Sequence, residues 1–198
     1  MPPEDVAQMA TVFSSSDGDG EVLCNMLVAL AQPQVVLSPT LFHNSVFNAP
    51  AGYWSIGSRA RAASITVSAG AASFVAGLKE AHGQVLATGA AVLYIAYDAP
   101  FPAALASFAR SAEPFACALR LEPVTGSHKK GFGRIEESKL DPDQKEQVLP
   151  PPVALLEPFS GNAAAEALPL LMAIARLRRA RMAFPYLDGS RLWLDYLP

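Results

Sequence analysis

The chain has 198 residues, which fits one domain spanning residues 1–198, and 51% of them are hydrophobic while 17% are charged. This composition excludes a disordered chain, and the net charge of −3 argues against a nucleic-acid partner, because such domains are usually basic. The two cysteines, Cys24 and Cys117, cannot form a disulfide framework or a Cys-rich metal site. We recognise no signal peptide and no membrane span, and therefore expect a cytoplasmic protein.

Strand and helix patterns alternate over the first 121 residues. Apolar and β-branched runs predict strands at 10–14, 35–37, 65–68, 90–96 and 115–121. Helical spacing and first-turn signals predict helices at 21–32, 40–48, 71–84 and 101–110, with a break at Pro50 and Gly52 and a resumption at 53–56. The alternation indicates an α/β layered fold.

The last third changes in character. Residues 125–152 combine charged residues with three consecutive prolines, which predicts one long exposed loop. Residues 162–179 form a helical pattern in which Pro169 predicts a kink or a late start. The inward positions of that helix would be Leu168, Leu171, Ile174 and Ala175. A hairpin follows at 181–196, with Asp188-Gly189 as its turn.

One turn carries a resemblance to a known family. The segment TVSAGAAS at 66–73 reads as the end of a strand, a turn of small residues and the start of a helix. It resembles the nucleophile turn of β-ketoacyl synthases. Three further blocks, VFSSSDGDG at 12–20, SPTLFHNSVFN at 38–48 and AGYWSI at 51–56, are similar to chain-length-factor-like ketosynthase relatives of aryl polyene and polyketide pigment pathways. The resemblance implies a thiolase-like half-fold, a mixed five-stranded sheet with helices packed on it.

The resemblance also implies what the chain does. Ala71 occupies the nucleophile position, and a methyl group cannot attack a thioester. The half of the fold that bears the family's catalytic histidines is absent from this sequence, so no catalytic residue is expected. The implied function is that of a pseudoenzyme: a non-catalytic, chain-length-factor-like subunit supporting polyketide or fatty-acid-type chain elongation, such as aryl polyene biosynthesis.

Two alternatives remain open. The polar and aromatic residues of the second and third blocks are candidates for a pocket or an interface: His43, Asn44, Asn48, Tyr53 and Trp54. The first alternative is an acyl- or small-molecule-binding enzyme of unknown chemistry that uses His43, Asn44 and Asn48. The second is a scaffold that binds only proteins. Because the three histidines have no ligand spacing, we expect no metal and no cofactor.

Two segments are candidates for partner binding. By resemblance, Ile65, Thr66, Val67 and Ser68 form the strand that pairs across a dimer interface, and no charge or proline interrupts it. We expect a homodimer, or a heterodimer with a ketosynthase through the same edge. The arginines Arg176, Arg178, Arg179 and Arg181 either form a solvated helix end or dock an acidic acyl carrier protein.

Overall fold

The computed structural model describes residues 3–108, 113–124, 132–138, 153–187 and 190–198. The strands are β1 Ala10–Ser14, β2 Ser64–Val67, β3 Val92–Asp98, β4 Phe115–Leu121, β5 Arg134–Ser138, β6 Ala180–Pro185 and β7 Arg191–Leu197. The helices are α1 Pro3–Ala7, α2 Gly20–Leu30, α3 Pro39–Asn44, α4 Ala49–Ser58, α5 Ser73–Thr88, α6 Val153–Leu156 and α7 Leu168–Arg176. Short 3-10 turns occupy Gly70–Ala72, Ala103–Leu105, Glu157–Phe159 and Ala164–Ala167.

A mixed four-stranded sheet forms the centre of the fold, in the order β2-β1-β3-β4. The first three strands are parallel, and β4 runs antiparallel to β3. The mixed α/β sheet was predicted, but with five strands. Residues 35–37 are the missing strand: they lie between α2 and α3, and Val36 is 79% exposed. Pro33 and Pro39 flank this short segment, and proline has no N–H to donate to a ladder.

A second, antiparallel sheet has the order β5-β7-β6. It confirms the predicted C-terminal hairpin, in which Phe184 lies opposite Leu192, although the predicted Asp188-Gly189 turn lies outside the described residues. The exposed loop predicted at about 125–152 contains a strand that was not predicted, because β5 lies inside that range and pairs with β7. Residues 125–131 and 139–152 lie outside the described part of the chain.

One buried cluster joins the two sheets. Helix α5 covers β1 and β3 with Phe74, Val75 and Leu78, and the Phe74 ring also packs at a tilt against Phe184 of β6, with ring centroids 5.7 Å apart. Leu170 of α7 is fully buried in the same cluster. Burying these apolar side chains between the sheets and α5 is the main stabilising term of the fold.

Several helices differ from the sequence pattern. Helix α4 runs through Pro50 and Gly52, where a break was predicted, because Pro50 lies in the first turn and no intrahelical N–H is lost there. The late start predicted from Pro169 is confirmed, but Ala175 is exposed and does not point inward. The helix predicted at 101–110 is only the 3-10 turn Ala103–Leu105 within the described residues.

Candidate functional site

The turn after β2 is closed by one serine. Gly70 adopts a φ of 55°, a left-handed conformation that favours glycine. The Ser73 hydroxyl donates to the carbonyl of Gly70 at 2.7 Å and accepts from the N–H of Ala69 at 2.9 Å. Between them, Ala71 is exposed in the 3-10 turn that leads into α5. The turn therefore presents its central residue to solvent, and that residue offers only a methyl group.

A buried carboxylate organises the strand ends beside this turn. Asp98, 5% exposed at the end of β3, accepts from the Ser15 hydroxyl at 2.9 Å and from the Ser16 N–H at 2.7 Å through Oδ1. Its Oδ2 accepts from the Ala164 N–H at 3.0 Å. These bonds tie the ends of β1 and β3 to the turn before α7, so Asp98 has a structural role. The sequence analysis missed it, although an aspartate ending an apolar strand is a visible signal.

Three other titratable groups near Asp98, one buried and two half-buried, have pKa values that favour their neutral forms. Tyr94 Oη donates to the carbonyl of Phe74 at 2.5 Å and lies 2.7 Å from Ser14 Oγ, and burial raises its pKa well above the ordinary value. Burial, and then the nearby Asp98 carboxylate, raises the pKa of Tyr97 to about 12. Burial raises the pKa of the Cys117 thiol to about 11. These shifts oppose the anionic forms that a base or a nucleophile needs.

Three of the predicted pocket residues meet on the surface. Tyr53 Oη donates to Asn44 Oδ1 at 2.7 Å, and the His43 and Tyr53 rings lie edge to face with centroids 6.4 Å apart. Tyr53 is 53% exposed and His43 is also exposed, so this group forms a patch on α3 and α4. It does not enclose a pocket.

The remaining two predicted residues lie elsewhere. Trp54 packs edge-on against Phe13 with ring centroids 6.3 Å apart, and its buried indole N–H has no acceptor among the described residues. Asn48 lines an open cavity of about 410 Å³ between α4 and β2. The other residues lining it are Phe47, Ala51, Gly52, Ser55, Ser64 and Thr66.

The predicted pairing strand lies at the edge of the central sheet. One side of β2 pairs with β1, with Ile65 opposite Val12, and no described strand pairs with its other side. Ile65 is 40% exposed, while Thr66 and Val67 are partly buried. The Ser68 hydroxyl donates to the carbonyl of Ser16 at 3.0 Å. This edge is therefore open to a partner strand.

A large apolar surface lies next to this edge, and it extends beyond the aromatic residues that the sequence places there. We call it the charge-free face, because residues 22–58 contain no Asp, Glu, Lys or Arg. It consists of the exposed apolar side chains of α2, α3, α4 and their connections: Leu23, Leu27, Val28, Leu30, Val35, Val36, Phe42, Val46, Tyr53 and Ile56. A scan for charge would have revealed it, since the whole chain carries 33 charged residues (15 Lys+Arg and 18 Asp+Glu).

The arginine group divides into two parts. Arg181 forms a two-pronged ion pair with Asp195, with Nε–Oδ1 and Nη2–Oδ2 distances of 2.8 Å, so it fastens β6 to β7. Arg181 therefore lies on β6, apart from the helix end with which the sequence analysis grouped it. Arg176, Arg178 and Arg179 are exposed at the end of α7, and none of them forms an ion pair with a described residue.

Within the described residues, no group of three His, Cys, Asp or Glu side chains could hold a metal ion. Among the described helices, none has the length and apolar content needed to cross a membrane.

Comparison with known proteins identifies the fold. The family model described as "Beta-ketoacyl synthase, N-terminal domain" matches residues 3–172. A chain of the complex of the ketosynthase ApeO with its chain length factor ApeC from Xenorhabdus doucetiae aligns with a TM-score of 0.68 and 24% identity, over 96% of this chain and 70% of that chain. The ishigamide ketosynthase/chain length factor aligns with a TM-score of 0.68 and 14% identity, over 96% and 73%. These likenesses establish a thiolase-like fold. No curated protein matches the chain.

Proposed function

Since the chain belongs to the β-ketoacyl synthase N-terminal domain family, we propose that it is a non-catalytic, chain-length-factor-like subunit that pairs with a catalytic ketosynthase. Ala71 is the observation that carries this proposal. The turn keeps the left-handed Gly70 and the Ser73 hydroxyl that close it, but its exposed central residue has no nucleophilic atom. The pathway would be polyketide or fatty-acid-type chain elongation, such as aryl polyene biosynthesis.

In this proposal the two subunits divide the work. A thioester is attacked by a thiolate, and the partner ketosynthase supplies that group. The half-buried Cys117 of this chain is unsuited to the reaction, because partial burial raises its pKa to about 11. This chain would contribute the turn at Ala71 and the edge of β2, which together with the partner would bound the cavity that holds the growing acyl chain.

Pairing would take place at β2. Its free edge carries Ile65, Thr66 and Val67, which are β-branched and uncharged and so suit an added strand. The structural neighbours are described as complexes of a ketosynthase with a chain length factor, which supports a partner of this kind. Without a ketosynthase, we propose that two copies of this chain pair through the same edge.

Carrier-protein docking would use the end of α7. Arg176, Arg178 and Arg179 are exposed there, and they surround the exposed Leu177, whose φ is 47°. Acyl carrier proteins are acidic, and a local group of cations on a chain of net charge −3 would speed their encounter. Arg181 is not part of this proposed surface, since Asp195 engages it.

Reconstitution tests the proposal. A tagged chain is purified from its source organism, and a ketosynthase with an intact catalytic cysteine is expected to co-purify. Elongation of an acyl chain with malonyl-acyl carrier protein should require both the ketosynthase and this chain. Mass spectrometry should find the acyl adduct on the ketosynthase alone. An acyl adduct on Cys24 or Cys117 of this chain, or elongation that proceeds unchanged without it, would contradict the proposal.

The cavity supports a second candidate, an acyl- or small-molecule-binding protein. Phe47, Asn48 and Thr66 line its volume of about 410 Å³, whereas His43 and Asn44 do not. Native mass spectrometry of the freshly purified chain distinguishes this candidate. A bound acyl ligand that is lost in an Asn48→Leu variant would favour it over a purely protein-binding subunit.

A further inference from the structure

The charge-free face is larger than the strand edge and is not explained by pairing at β2 alone. We propose that the ketosynthase partner covers this face together with the β2 edge, so that α2, α3 and α4 form most of the interface. This inference rests on the proposed function, because it names the surface that the same partner contacts.

Helix α2 gives the first argument. Leu23, Leu27 and Leu30 are 43%, 46% and 48% exposed and are spaced i, i+4 and i+7, so they form one apolar stripe. The adjoining side of the helix holds Val22, Met26 and Ala29, which are half-buried. The inner side is therefore already packed, and the apolar stripe widens the helix's apolar surface beyond what its own chain covers. The outer stripe has the spacing with which a helix packs into an apolar groove of another protein.

Contacts connect α2 with the β2 edge. Helix α2 packs against α3. Helix α3 is joined to α4 by the hydrogen bond from Tyr53 to Asn44. Helix α4 and β2 line the two sides of the open cavity, with Ser55 on one side and Thr66 on the other. A partner strand added to β2 would therefore lie beside α4 and have the rest of the face within reach.

The size of an ordinary interface gives the second argument. A stable interface uses roughly 20–30 residues from each partner and buries about 800 Å² on each. Strand β2 has 4 residues, which is far too few. The charge-free face can supply the other residues that such an interface needs. Its composition is suitable, because interface cores are depleted of charged side chains and enriched in aromatic ones, and this face carries Phe42 and Tyr53.

The charges at the margins favour a protein partner over a membrane. Membrane-surface helices carry Lys and Arg around their apolar side. Here α2 begins with Asp19 and Glu21, and no cation follows until Arg59. An acidic margin would be repelled by anionic lipid headgroups.

The experiment uses the purified complex of this chain with the ketosynthase captured above. Hydrogen exchange of the free chain and of the complex, followed by mass spectrometry, should show protection of 20–58 as well as 64–67 in the complex. Leu27→Lys should weaken binding at least tenfold. Leu86→Lys is the matched control, because Leu86 is 72% exposed on α5 outside the charge-free face, and it should leave binding unchanged. Circular dichroism verifies that both variants fold.

The outcomes separate this inference from the proposed function. Protection of β2 with no change in α2, and Leu27→Lys binding as wild type, would overturn the inference and leave the proposed function intact. No complex at all would overturn both. Sedimentation showing a homodimer that Leu27→Lys dissociates, with ketosynthase binding unaffected, would assign the face to a second copy and overturn the inference. Another outcome is that the wild-type chain floats with phosphatidylglycerol vesicles in a density gradient while Leu27→Lys does not. That result would assign the face to a membrane and overturn the inference. Exchange on the wild-type chain remains decisive if Leu27→Lys does not fold.

Discussion

Gly77 lies where α5 approaches the central sheet too closely for a side chain. A Cβ added there would lie 2.6 Å from Tyr94 Cε2 and 2.8 Å from Ser14 Cβ. Neither neighbour can move aside easily, because Tyr94 is fully buried and its hydroxyl is held by Phe74 and Ser14. Gly77→Ala should therefore destabilise the fold through steric overlap, even though alanine is the better helix former.

The size of the effect follows from two opposed terms. Overpacking a buried site costs about 1–3 kcal/mol, and contacts this short favour the upper end of that range. Replacing glycine by alanine inside a helix gains about 0.5–1 kcal/mol. The net loss is about 2 kcal/mol, which for a chain of this size lowers the melting temperature by about 4–8 °C.

Gly83 provides the matched control in the same helix. It is exposed, and a Cβ added there meets nothing within 4 Å. Gly83→Ala should show only the stabilising effect of alanine in a helix and raise the melting temperature by about 1–4 °C. Thermal unfolding followed by circular dichroism at one protein concentration compares the variants. The reasoning is refuted if Gly77→Ala melts at or above the wild-type temperature.

Three further outcomes are expected. Asp98→Asn should lower the free energy of unfolding by about 1–3 kcal/mol, measured by urea denaturation, because the new amide cannot accept from both Ser15 and the Ala164 N–H; an unchanged urea midpoint would argue against the structural role of this carboxylate. Arg181→Ala should cost about 1–3 kcal/mol in the same assay by leaving Asp195 without its paired cation, whereas Arg178→Ala should change stability little. Burial raises the pKa of Glu166, so the folded state disfavours the carboxylate and loses stability as the pH rises from below the ordinary value of 4.5. Glu166→Gln should therefore stabilise the chain near pH 7, and this gain should disappear below about pH 4 in denaturant titrations at both pH values.

Local patterns in the sequence determined the backbone of several elements. Strands β1 and β4 were predicted with the bounds Ala10–Ser14 and Phe115–Leu121 that the structure has, because apolar runs with flanking breakers are local signals. The turn around Ala71 was recognisable for the same reason, since its small residues are consecutive. Strand β5 was not found: its charged sequence RIEES becomes a strand only because β7 pairs with it.

The convergence of side chains was decided by the tertiary structure alone. Asp98 meets Ser15 and Ala164 although 83 and 66 residues separate them, and no spacing in the sequence encodes such a contact. Packing likewise separated Trp54 from Asn44, and it engaged Arg181 with Asp195 while leaving Arg178 exposed. The sequence specified which residues are apolar or charged, but only the arrangement of the helices around β2 placed the charge-free face on the surface. The physical reason is that periodicity reports local conformation and burial, whereas contacts between distant residues depend on how whole elements pack.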